Sequence, residues 1–314
     1  MATPQPQGEQ SPQPMQPIPT VPPPPHYPIP YNNHPNEPMS GYPSLPQGGF
    51  APAHPFVAPE TLDPHFGRVG RVPWTLRQTL LGTAITIVPW LAFIAATSLL
   101  STGSSTALKP VPRPLDLVAG VIAFLFTCIA EGVFLLAPLY HAVWRRPPGM
   151  TARDGFRALG FRRTAFWPAA SLIVGSIVVS FALEILYGII VQQLNLPLQT
   201  NADRLTQQAH YAPFTIFFTL LAAVVIAPIC EEVFFRGYLF GGLLRGMNVW
   251  LATIVSALLF TLVHGDIGSA VPLLVIGLIL PVLRWRTGSL WPGVALHTVN
   301  NLIAALAVLP FILR

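Results

Sequence analysis

Seven blocks of apolar residues follow one another along this chain, separated by more polar stretches in which Gly, Pro or Arg mark the breaks. The blocks cover residues 78–100, 115–143, 167–191, 213–244, 249–264, 270–284 and 290–312. An α-helix rises 1.5 Å per residue, so blocks of this kind suit a hydrocarbon core about 30 Å thick. The pattern predicts an all-α, polytopic membrane helix bundle of about seven transmembrane helices.

Two other stretches do not follow this apolar pattern. Residues 1–66 hold 20 of the 36 prolines and no apolar run typical of a signal peptide. A polar, proline-dense stretch buries too little apolar surface to offset the entropy of ordering, so we expect a disordered tail. Residues 151–166 alternate Phe and Leu with Arg, which is typical of an amphipathic helix at the membrane surface.

Composition supports the membrane interpretation. Residues of the hydrophobic set make up 52% of the chain and charged residues 9%, against about 25% charged in soluble domains. The two cysteines, Cys128 and Cys230, lie inside apolar blocks and indicate no disulfide framework. The net charge of +5 is attributed to membrane topology, and no nucleic-acid partner is expected.

Basic residues are distributed unevenly between the two sides of such a bundle. With a cytoplasmic N-terminus, 12 arginines fall on the cytoplasmic side and four basic residues on the other. The cytoplasmic set is Arg68, Arg71, Arg77, Arg145, Arg146, Arg153, Arg157, Arg162, Arg163, Arg245, Arg284 and Arg286, and the other set is Lys109, Arg113, Arg204 and Arg314. This bias predicts a cytoplasmic N-terminus. The Pro-rich tail resembles those of bacterial envelope proteins, which favours a bacterial plasma membrane.

The fourth block contains three ionisable residues, Glu231, Glu232 and Arg236. Each costs about 2.5 to 3.5 kcal/mol at the middle of a bilayer, so together they require mutual pairing or a water-filled cavity. Glu232 and Arg236 are four residues apart, share a helix face and can neutralise each other. Glu231 points about 100° away and is the candidate for contact with water or substrate. The alternative is a purely structural ion pair with one protonated glutamate.

Two later blocks add histidines. Phe260 and His264 share a face at the end of the fifth block, and His297 and Asn301 share a face in the seventh. A turn near residue 247 places Glu231 and His264 at equal depth, about 25 Å from the turn. His297 lies only about ten residues beyond the next turn, a deficit of roughly 9 Å, so its meeting Glu231 requires a tilted helix or a fourth helix that projects into the cytoplasm. Each histidine alone could equally be a packing residue.

The three strings E-E-x-x-x-R, F-x-x-x-H and H-x-x-x-N, in this order, resemble the CAAX-protease and bacteriocin-processing (Abi) family of intramembrane endopeptidases. Its eukaryotic relatives include CAAX prenyl protease 2, the Ras-converting endopeptidase. The resemblance covers roughly residues 150–312. It implies peptide-bond hydrolysis, with Glu231 and His264 activating a water and His297 and Asn301 stabilising the oxyanion. In this scheme Glu232, Arg236 and Phe260 support the site. The domains are then the tail at 1–66, two membrane helices in 67–149 and a protease-like core at 150–314.

The metal requirement stays open on sequence alone. Glu231, His264 and His297 could ligate Zn²⁺ at a site with an open position. A metal-free mechanism is equally consistent, because a carboxylate in a low-dielectric cavity can act as a general base. No organic cofactor is expected. The expected partners are membrane lipid and a peptide or protein substrate, and the sequence does not indicate an oligomeric state.

Two other function classes remain open. One is a membrane protein without proteolytic activity, which sequesters a peptide or confers bacteriocin immunity. The other is a proton-coupled transporter that uses the buried acidic residues and histidines as a relay. Glu131 and Glu184 lie in apolar blocks outside the motifs and are expected to be protonated or to line a polar path. Cys230 is expected to be an inert small residue.

Overall fold

The computed structural model describes residues 65–102 and 109–313. Within these residues it contains helices and no strand, so the predicted all-α class is confirmed. The helices are α1 Leu76–Thr102, α2 Arg113–Leu139, α3 Ala152–Leu159, α4 Phe166–Gln193, α5 Asn201–Ala209, α6 Pro213–Glu231, α7 Phe240–Leu243, α8 Val249–His264, α9 Ala270–Thr287 and α10 Trp291–Ile312. Two π-helical segments, Tyr140–Trp144 and Glu232–Leu239, continue α2 and α6.

Six of the seven predicted blocks form helices long and apolar enough to cross a membrane in the described part of the chain. The fifth block forms α8, an apolar helix of 16 residues that is shorter than a full span. Of the amphipathic helix expected at 151–166, only Ala152–Leu159 is helical and forms α3, whereas Phe166 already begins α4. Thr151 caps α3, because its side chain accepts from the Asp154 amide while Asp154 accepts from the Thr151 amide.

Large apolar side chains cover the outer faces of these helices. Those of α4 are mostly exposed, and only Ala169 and Ser180 in that helix are buried. An apolar exterior of this extent suits contact with lipid. Of the predicted disordered tail, residues 1–64 lie outside the described residues. Phe66, within the boundary set for that tail, already packs in the core.

The core lies around the π-helical segment Glu232–Leu239, in which all eight residues are buried. Helices α1 and α2 form part of the wall around it. Phe134 of α2 packs edge-on against Phe234, with ring centroids 5.3 Å apart. Trp90 of α1 donates its indole N–H to the carbonyl oxygen of Val263 at 2.9 Å, next to His264. The two N-terminal helices therefore support the same core that carries the motifs.

Helix α6 begins where a side chain distant in sequence binds its first amides. The Asp116 carboxylate in α2 accepts from the Phe214 amide at 2.8 Å and the Thr215 amide at 3.1 Å. It also accepts from the Thr215 hydroxyl at 2.7 Å. The first amides of a helix lack partners within the helix, and a carboxylate there also interacts favourably with the helix dipole. Asp116 thus fixes the start of the helix that ends at Glu231.

The turn between α9 and α10 is buried beneath the segment that follows α3. The Leu290 amide donates to the Gly160 carbonyl at 2.9 Å, and the Ser289 hydroxyl donates to the Arg162 carbonyl at 2.7 Å. Arg284 is 1% exposed and donates to the Leu159 carbonyl at 3.3 Å, where the dipole of α3 favours a cation. The sequence predicts Arg284 on the cytoplasmic flank, whereas the structure buries it in the last turn of α9.

Candidate active site

The motif glutamates lie where α6 changes into a π-helix. Pro228, one turn earlier, lacks an amide hydrogen and cannot complete the α-helical ladder there. The widened turns that follow are packed by aromatic side chains, including the fully buried Phe234, Phe235 and Tyr238. Single π-helical turns within α-helices are frequent at functional sites. The sequence predicts regular α-helix here, and no local signal in it marks the π-helical segment.

Three side chains from three helices meet next to this segment. Glu231 ends α6, His264 ends α8, and His297 lies in α10. The Oε2 atom of Glu231 is 4.0 Å from His264 Nε2 and 3.8 Å from His297 Nε2. Glu231 and His297 are 7% and 3% exposed, respectively. One carboxylate therefore faces two imidazoles inside the helix bundle.

The hydrogen bond between His264 and Phe260 determines which ring nitrogen of His264 carries the hydrogen. Its Nδ1 lies 2.7 Å from the Phe260 carbonyl oxygen, which can only accept, so Nδ1 carries the hydrogen. In the neutral ring, Nε2 then presents a lone pair toward Glu231. The separation of 4.0 Å is too long for a direct hydrogen bond and suits two groups that share one water.

Glu232 and Arg236 form the ion pair that their spacing predicts. Arg236 Nη1 lies 2.9 Å from Glu232 Oε1, and both side chains are almost fully buried. The same carboxylate oxygen is 3.5 Å from His297 Nδ1. Because the cation of Arg236 is paired with Glu232, Glu231 has no arginine partner among the residues that the structure describes.

Phe260 contacts three members of the site. Its ring lies 4.3 Å from the guanidinium carbon of Arg236, a cation–π arrangement. The ring centroid is 4.7 Å from that of His264 and 5.6 Å from that of His297. Phe260 is fully buried. The phenylalanine of the F-x-x-x-H string thus packs between the ion pair and the two imidazoles.

Several buried polar atoms of this cluster have no hydrogen-bond partner within the described residues. Besides the two atoms that form the Glu232–Arg236 ion pair, they are Glu231 Oε2, Glu232 Oε2, Arg236 Nε and Nη2, and His297 Nδ1. Buried polar groups without partners are costly and uncommon in folded proteins. A set of them in one place indicates a site that a polar ligand or water completes.

Asn301 occupies a different position from the other motif residues. It lies one turn beyond His297 in α10, and its side-chain nitrogen donates to the Ala223 carbonyl at 2.8 Å. Ala223 precedes Glu231 by eight residues of α6, about 12 Å along the axis. Asn301 therefore ties α10 to α6 through one amide hydrogen. If Asn301 stabilises an oxyanion, it must donate its second amide hydrogen, because the first is bonded to Ala223.

Gly293 allows α10 to approach the ion pair. A Cβ atom at this position would lie 2.6 Å from Glu232 Oε2. That separation is shorter than any normal contact, so a side chain here would displace the buried carboxylate. Sequence analysis did not select Gly293, although it lies in the Trp-Pro-Gly run at the start of α10.

The donor set does not fit a zinc ion. Ligands about 2.0 to 2.2 Å from tetrahedral zinc lie roughly 3.3 to 3.6 Å from one another. The separations from Glu231 Oε2 to the two Nε2 atoms, 3.8 and 4.0 Å, are wider. Across residues 65–102 and 109–313, no group of three or more His, Cys, Asp or Glu side chains is arranged to hold a metal ion.

The other acidic residues and the cysteine are placed as follows. Glu131 of α2 is 8% exposed, and it is close enough to Glu231 to interact with it electrostatically. Glu184 is exposed on α4. Cys230 is a buried free thiol beside Glu231. Of these, only Glu131 places a buried carboxyl group near the cluster.

Comparisons with known proteins agree with the motifs. Residues 213–303 match the family model described as type II CAAX prenyl endopeptidase Rce1-like, which confirms the predicted resemblance over α6 to α10. The "Putative membrane peptidase YdiL" of Bacillus subtilis is 28% identical over 82 residues, 26% of this chain and 34% of that protein. The "Uncharacterized 24.3 kDa protein" of Escherichia coli is 33% identical over 88 residues, 26% of this chain and 40% of that protein.

The family match includes all the motif residues from Glu231 to Asn301. The chain spans between a third and two fifths of the length of the two curated relatives. No solved structure matches the chain at a significant level. The family match and the apolar helices together support an integral membrane location.

Proposed function

We propose that this protein is an intramembrane endopeptidase of the CAAX-protease type. It hydrolyses a peptide bond of a membrane-associated protein or peptide. The observation that supports this most directly is the approach of His264 and His297 to within 4.0 Å of one oxygen of Glu231, inside an apolar bundle. The family match over residues 213–303 supports the same reaction class.

The proposed reaction begins with a water held between Glu231 and His264. The carboxylate and the Nε2 lone pair both accept hydrogen bonds from the water and draw off a proton as its oxygen attacks the scissile carbonyl. The proton is then delivered to the leaving nitrogen as the carbon–nitrogen bond breaks. One water is consumed, and the products are a new carboxyl group and a new amine.

The developing oxyanion needs hydrogen-bond donors. We assign this role to His297 and to the second amide hydrogen of Asn301. Preorganised donors in a water-poor site are typically worth about 3 to 4 kcal/mol of transition-state stabilisation. Arg236 and Phe260 act as positioning residues, because they hold Glu232 against the ring of His297. No step in this scheme uses a metal ion.

The domain boundaries and the topology belong to the same proposal. The protease core is assigned to residues 150–314, with the two helices of 67–149 packed against it. The N-terminus is assigned to the cytoplasm of a bacterial cell on the distribution of arginines. Arg284 no longer contributes to that distribution because it is buried inside the protein.

The experiment that tests the protease function compares membrane peptidomes. Cells would produce the natural protein, Glu231→Gln or Glu184→Gln at equal membrane levels. Glu184→Gln makes the same change on the exposed face of α4 and serves as the control. New peptide termini are expected with the natural protein and with Glu184→Gln, and are expected to be absent with Glu231→Gln.

Other outcomes would contradict this function. Identical peptidomes in all three strains would remove support for proteolysis. A peptide that copurifies uncleaved with the natural protein would favour a sequestering or immunity role. Solute uptake driven by a pH gradient, lost in Glu231→Gln without any cleavage, would favour a transporter.

A further inference from the structure

A second polar feature lies on the arginine-rich side of the bundle, away from the glutamate and histidine cluster. It is a partly open cavity of about 490 Å³ between the start of α1 and the end of α2. That volume falls in the range of ligand sites, roughly 300 to 1,000 Å³. Among the lining residues in the described part of the chain, none is acidic, whereas His141, Arg145 and Arg146 are basic.

The two arginines of this cavity differ in what they already bind. The Arg146 guanidinium donates to the carbonyl oxygens of Val143 and Met150, so it shapes the loop. Within the described residues, the Arg145 guanidinium has no hydrogen-bond or ion-pair partner, although the Arg145 amide donates to the Tyr140 carbonyl at 2.7 Å. One exposed guanidinium is therefore available at the wall of a cavity that lacks carboxylates.

The cavity also lies between the ends of two candidate membrane spans. The span that includes α2 ends at Trp144, and the span of α1 begins at Leu76, so both borders of the cavity are span ends. Trp144 and Tyr140 are 62% and 45% exposed. Exposed Trp and Tyr at span ends are typical of the headgroup region, where anionic lipids attract arginine.

We propose that this cavity binds the phosphate-bearing headgroup of an anionic phospholipid, with the Arg145 guanidinium as the principal ligand. Guanidinium and phosphate form charge-assisted, often bidentate, hydrogen bonds. His141 and the flanking aromatic rings complete the site. The acyl chains then extend along the exposed apolar face of α2.

Three cavity residues connect the headgroup site to the π-helical segment of the candidate active site. Trp74 donates its indole N–H to the Tyr238 carbonyl at 3.2 Å. The Tyr238 hydroxyl donates to the Gln78 carbonyl at 2.6 Å. The His141 and Tyr238 rings are stacked, with ring centroids 5.6 Å apart and an interplanar angle of 9°. A bound headgroup therefore stabilises the segment Glu232–Leu239 through Tyr238.

The test uses the full chain purified in detergent and stripped of lipid. Binding of phosphatidylglycerol, phosphatidylcholine and soluble glycerol phosphate would be measured by native mass spectrometry and by thermal unfolding. The natural protein is expected to prefer phosphatidylglycerol to phosphatidylcholine. Arg145→Gln is expected to weaken phosphatidylglycerol binding roughly tenfold, the effect of losing a charge-assisted hydrogen bond to an anion.

Arg153→Gln is the matched control, since Arg153 is an exposed arginine of α3 that does not line the cavity. It is expected to bind phosphatidylglycerol as the natural protein does. Arg145→Lys keeps the charge without the bidentate geometry and is expected to bind with intermediate affinity. Arg145→Lys also provides the test of the site if Arg145→Gln fails to fold.

Hydrogen exchange tests the connection to the candidate active site. Phosphatidylglycerol is expected to slow exchange of the amides of residues 232–239 in the natural protein and not in Arg145→Gln. Equal losses of binding in Arg145→Gln and Arg153→Gln would overturn the site, as would no loss in Arg145→Gln. Glycerol phosphate binding as tightly as the lipid would overturn the assignment to a lipid.

Discussion

The guanidinium carbon of Arg236 lies 4.3 Å from the ring centroid of Phe260. Both side chains are fully buried, and Arg236 is also paired with Glu232. A charge removed from water is stabilised by its counter-ion and by the negative face of an aromatic ring. This contact gives a physical reason for a phenylalanine one turn before His264, which sequence spacing alone does not provide.

Phe260→Leu removes that contact and is expected to lower both stability and peptide cleavage. The cation–π interaction contributes about 0.5 to 2 kcal/mol, and the smaller side chain leaves a cavity. Phe134→Leu is the control, because Phe134 is equally buried and packs against Phe234 and Phe235. Thermal unfolding and cleavage rates would be measured for both. Equal losses of cleavage would show that Phe260 acts only by filling volume.

His264→Asn distinguishes the roles of the two imidazole nitrogens. The amide nitrogen of Asn can replace Nδ1 and keep the bond to the Phe260 carbonyl, while Nε2 is lost. Cleavage is expected to fall about 100-fold or more, the typical contribution of general base catalysis, with thermal stability little changed. His264→Gln, which places nitrogen nearer Nε2, is the companion variant. Unchanged turnover in His264→Asn would remove His264 from the proposed water-activating pair.

Gly293→Ala tests the close approach of α10 to the ion pair. The added methyl group would lie 2.6 Å from Glu232 Oε2 and displace it from Arg236 and His297. Lower stability and reduced cleavage are expected. Gly175→Ala on α4 is the control, since its Cβ would meet nothing within 4 Å. Replacing a glycine inside a helix there should stabilise the protein by about 0.5 to 1 kcal/mol. Similar effects at both positions would contradict the proposed packing.

Metal removal is expected to leave cleavage unchanged. The separations of 3.8 and 4.0 Å around Glu231 Oε2 are wider than tetrahedral zinc ligation gives. Cleavage would be measured before and after dialysis against a strong chelator, with metal analysis of the same preparations. Stoichiometric zinc, together with activity lost on chelation and restored by zinc alone, would show that the donors rearrange around a metal ion.

Much of the site could be predicted from spacing along single helices. Glu232 and Arg236 are four residues apart, and they form an ion pair. Glu231 and His264 lie at equal distances from the turn that joins α6–α7 to α8, and they lie 4.0 Å apart. Such predictions rely on the regular rise of a helix, which local sequence determines.

The position of His297 could not be predicted in this way. Helical rise counted from the α9–α10 turn leaves it about 9 Å short of Glu231 unless a helix tilts or projects, and its Nε2 lies 3.8 Å from Glu231 Oε2. The count assumed a turn at the surface. Instead, Ser289 and Leu290 in that turn are 0% and 1% exposed, because the segment after α3 covers them.

The sequence by itself determined the apolar helices, their limits and the pairings made within a helix or across one hairpin. The tertiary structure decided the π-helical segment, the depth of the α9–α10 turn and the capping of α6 by Asp116 from 98 residues away. The physical reason is that helical periodicity is a local property of the backbone. A hydrogen bond between distant segments depends on how whole helices pack, and no short stretch of sequence encodes that packing.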